Sequence, residues 1–268
     1  KEPPFRITPH PEFFFDGADR GATLEGLLYA ILHDEGIVKV SGEIGSGKTT
    51  LCRVLMERLP PEVETVFLAN PSFSRSEILH AIAEELGAPV EDGSAAPALR
   101  QLQSRLIELY GEGRRVVVMI DEAHAMPEET LEQVRLLSNL ETTTQKLLQI
   151  VLFGQPELDE TLAKPHMRQL KDRITHSFRT RPLLAAEVAK YITFRMRAAG
   201  YRGPDVFSAT AAMAIARASS GLTRRINVLC DKSLLAAFAS NAHAVTPKEV
   251  RAAVNDSDFA PIATDKKA

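Results

Sequence analysis

A chain of 268 residues, 44% hydrophobic and 25% charged, has the balance of a globular protein and the length for one large domain or two. A net charge of −3 and a pI near 6.2 argue against wholesale coating of nucleic acid and leave room only for a local basic patch. Two cysteines far apart, Cys52 and Cys230, suggest neither a disulfide framework nor a metal site and point to a reducing cytoplasm, and no apolar run approaches the roughly 18 residues of a membrane span.

The chain starts at Lys1 rather than Met and reads as trimmed. Its first fifteen residues are rich in proline and aromatics, and the prolines exclude a helix across them. We expect an extended arm that packs Phe5, Phe13 and Phe15 on the core and, in a functional role, covers the adenine base. A helix follows from about Ala18 to His33, with Leu24, Leu27, Leu28 and Ile31 on one face.

Residues 37–50, IVKVSGEIGSGKTT, are the centre of the reading. A buried strand, Ile37 to Val40, leads into Gly42, Glu43, Ile44, Gly45, Ser46, Gly47, Lys48, Thr49 and Thr50. A helix with Leu51, Val54, Leu55 and Leu59 on one face comes next. Strand, glycine-rich loop and helix form the context in which this spacing cradles phosphates. The backbone N–H groups converge, the helix N-terminus adds partial positive charge, Lys48 reaches the β- and γ-phosphates, and Thr49 offers a hydroxyl to Mg²⁺.

A second strand is expected over Thr65 to Ala69, ended by Asn70-Pro71. Ser74 and Glu77 make a capping box for a helix stopped by Gly87. A soft loop over 88–97 and a helix from about Ala98 to Tyr110 precede Val116 to Ile120, the most apolar strand of the chain. That strand runs straight into Asp121-Glu122. In a parallel sheet the C-terminal edge is where ligands bind, so Asp121 is read as a Mg²⁺ ligand beside Thr49 and Glu122 as the base that activates water. His124 is read as a local hydrogen-bonder without an assigned role. After a helix over 127–140, a strand from Leu147 to Phe153 ends at Gly154-Gln155-Pro156, and Gln155 is the candidate sensor of the γ-phosphate.

Arg168, Arg173, Arg179 and Arg181 cluster before Pro182, where a boundary is expected; such clusters are usually solvated, but phosphoryl transfer without an arginine near the γ-phosphate is slow. Beyond it the pattern is helical: 185–199, 207–219, a helix opened by Gly221-Leu222-Thr223-Arg224-Arg225, and a short helix from Thr246-Pro247 to near Val254. The tail from Asn255 reads as disordered, and no internal repeat is visible.

The segments PFRITPHPEFFF, GEIGSGKTT, ANPSFSRSEIL, VVVMIDEAH, LLSNLET, QIVLFGQPEL and GLTRRINVLCDKSLLAA together resemble the AAA+ ATPases, and more narrowly the ExeA/GspA/MshM group of type II secretion and MSHA-type pilus systems. The resemblance spans about Phe5 to Asp256. It implies an α/β P-loop core with a parallel sheet over residues 1–182, including the arm, and a small all-helical lid over 183–268. It implies ATP and Mg²⁺, a nucleotide-dependent homo-oligomer, and partner proteins of a secretion or pilus machine at the inner membrane. It also makes Arg173 the finger that reaches a neighbour's ATP, Arg224 the lid sensor with Arg225 as its fallback, and Asn70 a residue that restrains the catalytic glutamate or, equally, a turn former before Pro71. ExeA-like proteins often continue into a membrane span and a peptidoglycan-binding domain; neither is visible, which leans toward the shorter MshM-like form or an excised ATPase domain. The rival readings are a DNA-acting ATPase similar to the transposition helpers MuB and TniB, with Arg168, Lys171, Arg173, Arg179 and Arg181 as a basic strip, and a nucleotide-dependent scaffold with negligible turnover.

Overall fold

A computed structural model describes residues 2–33, 36–69, 72–88, 95–143, 145–257 and 259. The chain divides into two compact units, one of Ala22–Gly42 and Leu51–Thr180, the other of Lys1–Gly21, Glu43–Thr50 and Arg181–Ala268.

The first unit is built on five strands: β1 (Ile37–Gly42), β2 (Val63–Leu68), β3 (Arg115–Ile120), β4 (Leu148–Gly154) and β5 (Ile174–Thr180). They are all parallel, in the order β2-β3-β4-β1-β5. Parallel strands covered on both faces read as continuous apolar runs. β4, in the middle, accordingly has all seven residues buried, and β3 has five of six. β5 is an edge strand and alternates instead, with Thr175, Ser177 and Arg179 exposed.

The helices of this region are α1 (Arg20–His33), α2 (Lys48–Arg58), α3 (Arg75–Glu85), α4 (Ala95–Gly111), α5 (Glu128–Leu137), α6 (Pro156–Leu162) and α7 (Arg168–Lys171). Ile78, Leu79 and Ile82 of α3 and Leu102, Leu106 and Leu109 of α4 share one core with Val118 of β3 and Leu152 of β4. Each such side chain contributes about 1.5–3 kcal/mol by leaving water. The capping box forms as expected: Ser74 N–H donates to Glu77 Oε2 at 2.7 Å and Glu77 N–H to Ser74 Oγ at 3.4 Å.

Some boundaries differ from the sequence expectation. α1 starts after Ala18 and Asp19, which hold left-handed backbone at φ 59° and 65°. α4 begins before Pro97, since a proline in the first turn forfeits no helical hydrogen bond. α6 and α7 lie where no helix was expected, α6 opening on Pro156 in its first turn. Asn70-Pro71 and positions 89–94 of the soft loop lie outside the described residues.

The second unit gathers α8 (Ala185–Ala198), α9 (Ala209–Ser219), α10 (Thr223–Ala239) and α11 (Pro247–Asn255), so the last helix takes in Asn255, where the disordered tail was expected to begin. Val188, Tyr191, Ile192, Ile215, Ile226, Leu229 and Val250 form its core. Phe5 and Phe15 of the arm pack into this core, as expected. Phe5, 2% exposed, meets Phe207 edge-on at 5.7 Å; Phe15 lies against Tyr191 and Phe194; the Arg195 guanidinium covers Phe13 at 4.6 Å. Arg195 also donates to the carbonyls of Pro4 and Arg6, at 2.7 and 3.0 Å. The arm contains one 3₁₀ turn, Pro11–Phe13. Among the described residues, no helix is long and apolar enough to cross a membrane.

Candidate functional site

Within the second unit the loop after Gly42 is shaped by glycine. Gly45 and Gly47 have φ of 75° and 99°, conformations that cost an L residue energy. The turn closes with Ser46 N–H donating to Glu43 O at 3.1 Å. α2 opens at Lys48, which is 5% exposed and whose Nζ donates to the same Glu43 carbonyl at 3.1 Å. Thr49 and Thr50 are half-buried in its first turn, and Ile44 is exposed at the loop tip.

Three residues remote in sequence hold this loop by its carbonyls. Thr223 Oγ1 donates to Gly45 O at 2.8 Å, and the Arg224 N–H, one of the backbone donors a helix N-terminus leaves over, donates to it at 3.1 Å, so the start of α10 caps that carbonyl twice. A Cβ on Gly45 would come within 2.8 Å of the Arg224 Cβ. The Arg224 side chain itself is exposed, whereas the Arg225 guanidinium lies over the Phe259 ring at 5.2 Å. Arg20, which sequence reasoning passed over, donates from Nη2 to Ser46 O at 3.0 Å. It is only 8% exposed, and among the described residues its buried Nη1 finds no hydrogen-bond partner. Burial pulls its guanidinium below the ordinary value.

The carboxylates belong to the sheet unit. Asp121, 4% exposed, extends the β2–β3 ladder by donating its N–H to Leu68 O at 2.9 Å, and its Oδ1 accepts the Glu122 N–H at 2.9 Å. Cys52 of α2 lies 3.8 Å from Met119 of β3, sulfur to sulfur, and its thiol is pushed up by burial and then by the negative charge of Asp121. Glu122 sits in left-handed backbone, φ 53° and ψ 32°, a conformation that costs a residue of its kind about 1–3 kcal/mol and is concentrated at functional sites.

Because β3 and β4 are neighbours, the residues that follow them meet. Gln155 Nε2 donates to Glu122 Oε2 at 3.2 Å and lies 2.9 Å from His124 Nε2. His124 Nε2 is 3.5 Å from Glu122 Oε2, and its Nδ1 lies 3.4 Å from the Gln155 backbone nitrogen. Glu122 and Gln155 are thus brought together, with His124 as the third member of the cluster. Arg173 is not among them: it is exposed and immediately precedes β5, at the opposite edge of the parallel sheet, where its carbonyl accepts the Ile37 N–H at 2.9 Å. Of the proposed basic strip, Arg168 lies 3.8 Å from Asp172, Lys171 and Arg179 are exposed, and Arg181 is tied within the second unit to Glu187 and Asp19. Among the described residues no group of three or more His, Cys, Asp or Glu is placed to hold a metal by itself.

An AAA-domain family matches residues 31–162. The General secretion pathway protein A of Aeromonas hydrophila is 39% identical over 250 residues, 93% of this chain and 46% of that protein. The chain therefore spans about half the length of this curated relative. Among solved structures, Cdc6p of Pyrobaculum aerophilum superposes with a TM-score of 0.74 at 16% identity, covering 96% of this chain and 71% of that one. The ADP form of the Aeropyrum pernix ORC2 protein gives 0.68 at 19% identity, covering 94% and 72%. At such identities these two show a shared fold.

Proposed function

We propose that the chain is a GspA-type AAA ATPase that binds Mg-ATP and hydrolyses it between subunits of a homo-oligomer, a reading supported by the AAA-domain match and by the 39% identity to General secretion pathway protein A. The observation that carries the reading is the phosphate loop: two left-handed glycines, a buried Lys48 held on the loop's own carbonyl, and a helix that opens at that lysine. The residues fit the nucleotide chemically. The loop offers N–H groups, a helix N-terminus and one ammonium, a set that suits a polyphosphate.

In this reading residues 42–50 hold the phosphates, and Thr49 and Asp121 would hold Mg²⁺, which when bound offsets charge on the β- and γ-phosphates. Glu122 takes the proton of the attacking water, and Gln155 donates to the γ-phosphate. Arg224 supplies a second cation from the lid, and Arg173, at the far edge of its own sheet, acts on a neighbour's site. The division of labour is a nucleotide-binding part, 1–182, and a lid, 183–268. The hold of Thr223 and Arg224 on Gly45 supports a lid that grips the phosphate loop directly.

The client proposed is a protein of a bacterial secretion or pilus assembly machine, with the ATPase in the cytoplasm and peripheral at the inner membrane. The printed name of the Aeromonas relative supports the secretion setting. The test is steady-state ATP hydrolysis against protein concentration, with and without duplex DNA. Specific activity that rises with concentration and ignores DNA is expected. A rate that requires DNA overturns the client assignment in favour of a DNA-acting ATPase, and a flat rate near zero overturns hydrolysis by this chain alone.

A further inference from the structure

The sheet has a second end, where its strands begin, and the carboxylates that follow β3 are not there. A cleft of about 200 Å³ opens at that end, wholly within the sheet unit. The ends of α1 and α4, the first residues of β3 and β4 and the turn before β4 wall it, with Ile31, Tyr110, Arg114, Arg115, Lys146 and Gln149 among the lining. None of residues 42–50 takes part.

The lining is one-sided in charge. Among its described residues there is no Asp or Glu, whereas Arg114, Arg115 and Lys146 are cations at neutral pH. Arg114 pairs with Glu64 and Lys146 with Glu141, two carboxylates outside the lining. Arg115 is exposed and donates to Leu32 O at the end of α1; among the described residues it has no carboxylate partner. A guanidinium carries five N–H donors, so most of those on Arg115 remain available.

The inner wall holds the second observation. β4 reads LQIVLFG, and Gln149 is its one polar side chain. It is 8% exposed on a strand that lies between β3 and β1, beside Val117 of β3. Among the described residues its buried Nε2 has no hydrogen-bond partner. A buried amide left unmet is a cost that an aliphatic residue at this position would remove.

A buried NH₂ inside and cations at the rim suit a compact anion with several acceptor oxygens. A carboxylate has two such oxygens; a phosphate monoester has three and close to two negative charges, enough to meet the amide and two cations at once. Ile31 and the Tyr110 ring offer an apolar wall to a short carbon part. We propose that this cleft binds a small phosphate monoester, with its phosphate held by Arg115, Lys146 and the Gln149 amide. The site is additional to the phosphate loop and does not depend on hydrolysis there.

The probe is glycerol 3-phosphate, titrated into the ¹⁵N-labelled full chain and followed at the Gln149 side-chain NH₂, which is assigned by its loss in Gln149→Leu. A saturable shift is expected, with inorganic phosphate binding more weakly and glycerol having no effect. No shift overturns the proposal. Because the phosphate loop also suits phosphates, the titration is repeated in two variants. In Lys48→Ala the response should persist, and in Arg115→Ala the Kd should rise about tenfold, as for the loss of one charge-assisted contact. A response lost in Lys48→Ala and intact in Arg115→Ala places the anion in the phosphate loop and overturns the site. Vesicles of phosphatidic acid in phosphatidylcholine separate the sources: binding to them without a response to the soluble ester replaces the small ligand by a lipid headgroup. Gln149→Leu gives the last readout. By calorimetry it should bind glycerol 3-phosphate at least about tenfold more weakly, yet without ligand melt no lower than wild type, since the unmet amide is gone. A lower melting temperature with unchanged binding makes Gln149 a structural residue and overturns its assignment to the ligand.

Discussion

The two units hold their candidate functional residues in different ways. In the sheet unit Asp121, Glu122, His124 and Gln155 follow adjacent parallel strands, and ladder register alone brings them together. Among the described residues of the helical unit, the loop has no such strand register behind it. The phosphate loop is fixed by Arg20, Thr223 and Arg224, and every one of these contacts ends on a backbone carbonyl, at Ser46 or Gly45. A cluster set by register is robust in shape and sensitive in chemistry. A loop set by carbonyl anchors is sensitive in shape, because moving α10 or the start of α1 moves the loop. Substitutions at the sheet edge should therefore alter turnover, and substitutions around the loop should alter nucleotide affinity.

The largest expected effect lies at the sheet's other edge. Arg173→Ala should bind nucleotide normally but lose the rise of specific activity with protein concentration, a loss of about 10³–10⁵ in rate for an arginine acting in trans. Concentration-dependent turnover that survives the change would assign the finger to another arginine. Glu122→Gln sharpens the comparison further. It keeps the shape and the contact with Gln155 but cannot take a proton, so hydrolysis should fall about 10²–10⁴-fold with the Kd for Mg-ATP unchanged. Normal turnover in that variant removes Glu122 as the base.

Arg20→Ala breaks the comparison from the other side. It deletes a buried donor to Ser46 O, which costs about 1–3 kcal/mol when the acceptor is left unmet. The Kd for Mg-ATP should rise about tenfold, the equivalent of about 1.4 kcal/mol, while kcat at saturation stays near wild type. A fall in kcat with unchanged Kd, read by titration with a fluorescent ATP analogue, would show that the loop and the sheet edge do not divide the work in this way.

The same difference explains what could be read from the sequence. Central parallel strands advertise themselves as apolar runs, so β1, β3 and β4 were legible, and with them Asp121-Glu122 and Gln155 at their ends. The capping box was legible because Ser74 and Glu77 are local. Arg20 was not. At a helix start it looks like a surface residue, and its burial comes from the loop and from helices far along the chain. His124 needed the β3–β4 register before its partners could be named. The arm's phenylalanines were recognisable as core residues, but no local pattern says that they join Tyr191, Phe194 and Phe207. α6 was missed because Pro156 was read as part of a turn, although Glu157 and Asp159 just after it are a first-turn signature.

The smallest effect concerns the ion pair at the foot of α8. Arg181 donates from Nη1 and Nη2 to the two oxygens of Glu187, each at 2.8 Å, and Nη2 lies 3.2 Å from Asp19. The Glu187 carboxyl is held down to about 2, chiefly by the Arg181 hydrogen bonds and also by the Leu184 backbone N–H that it caps. A carboxyl with a depressed folded value binds fewer protons folded than unfolded. Its contribution is therefore complete above the ordinary carboxylate range, near 4.5, and is lost as pH falls from there toward 2. Both partners keep some contact with water, so the gain is modest. Melting temperatures of wild type and Glu187→Gln should differ by a few degrees, about 2–4 °C per kcal/mol in a chain of this size, at pH 7. The gap should narrow on acidification through that window. A gap that is unchanged at pH 3 would mean that Glu187 acts through its cap on α8 or its packing and not through its charge.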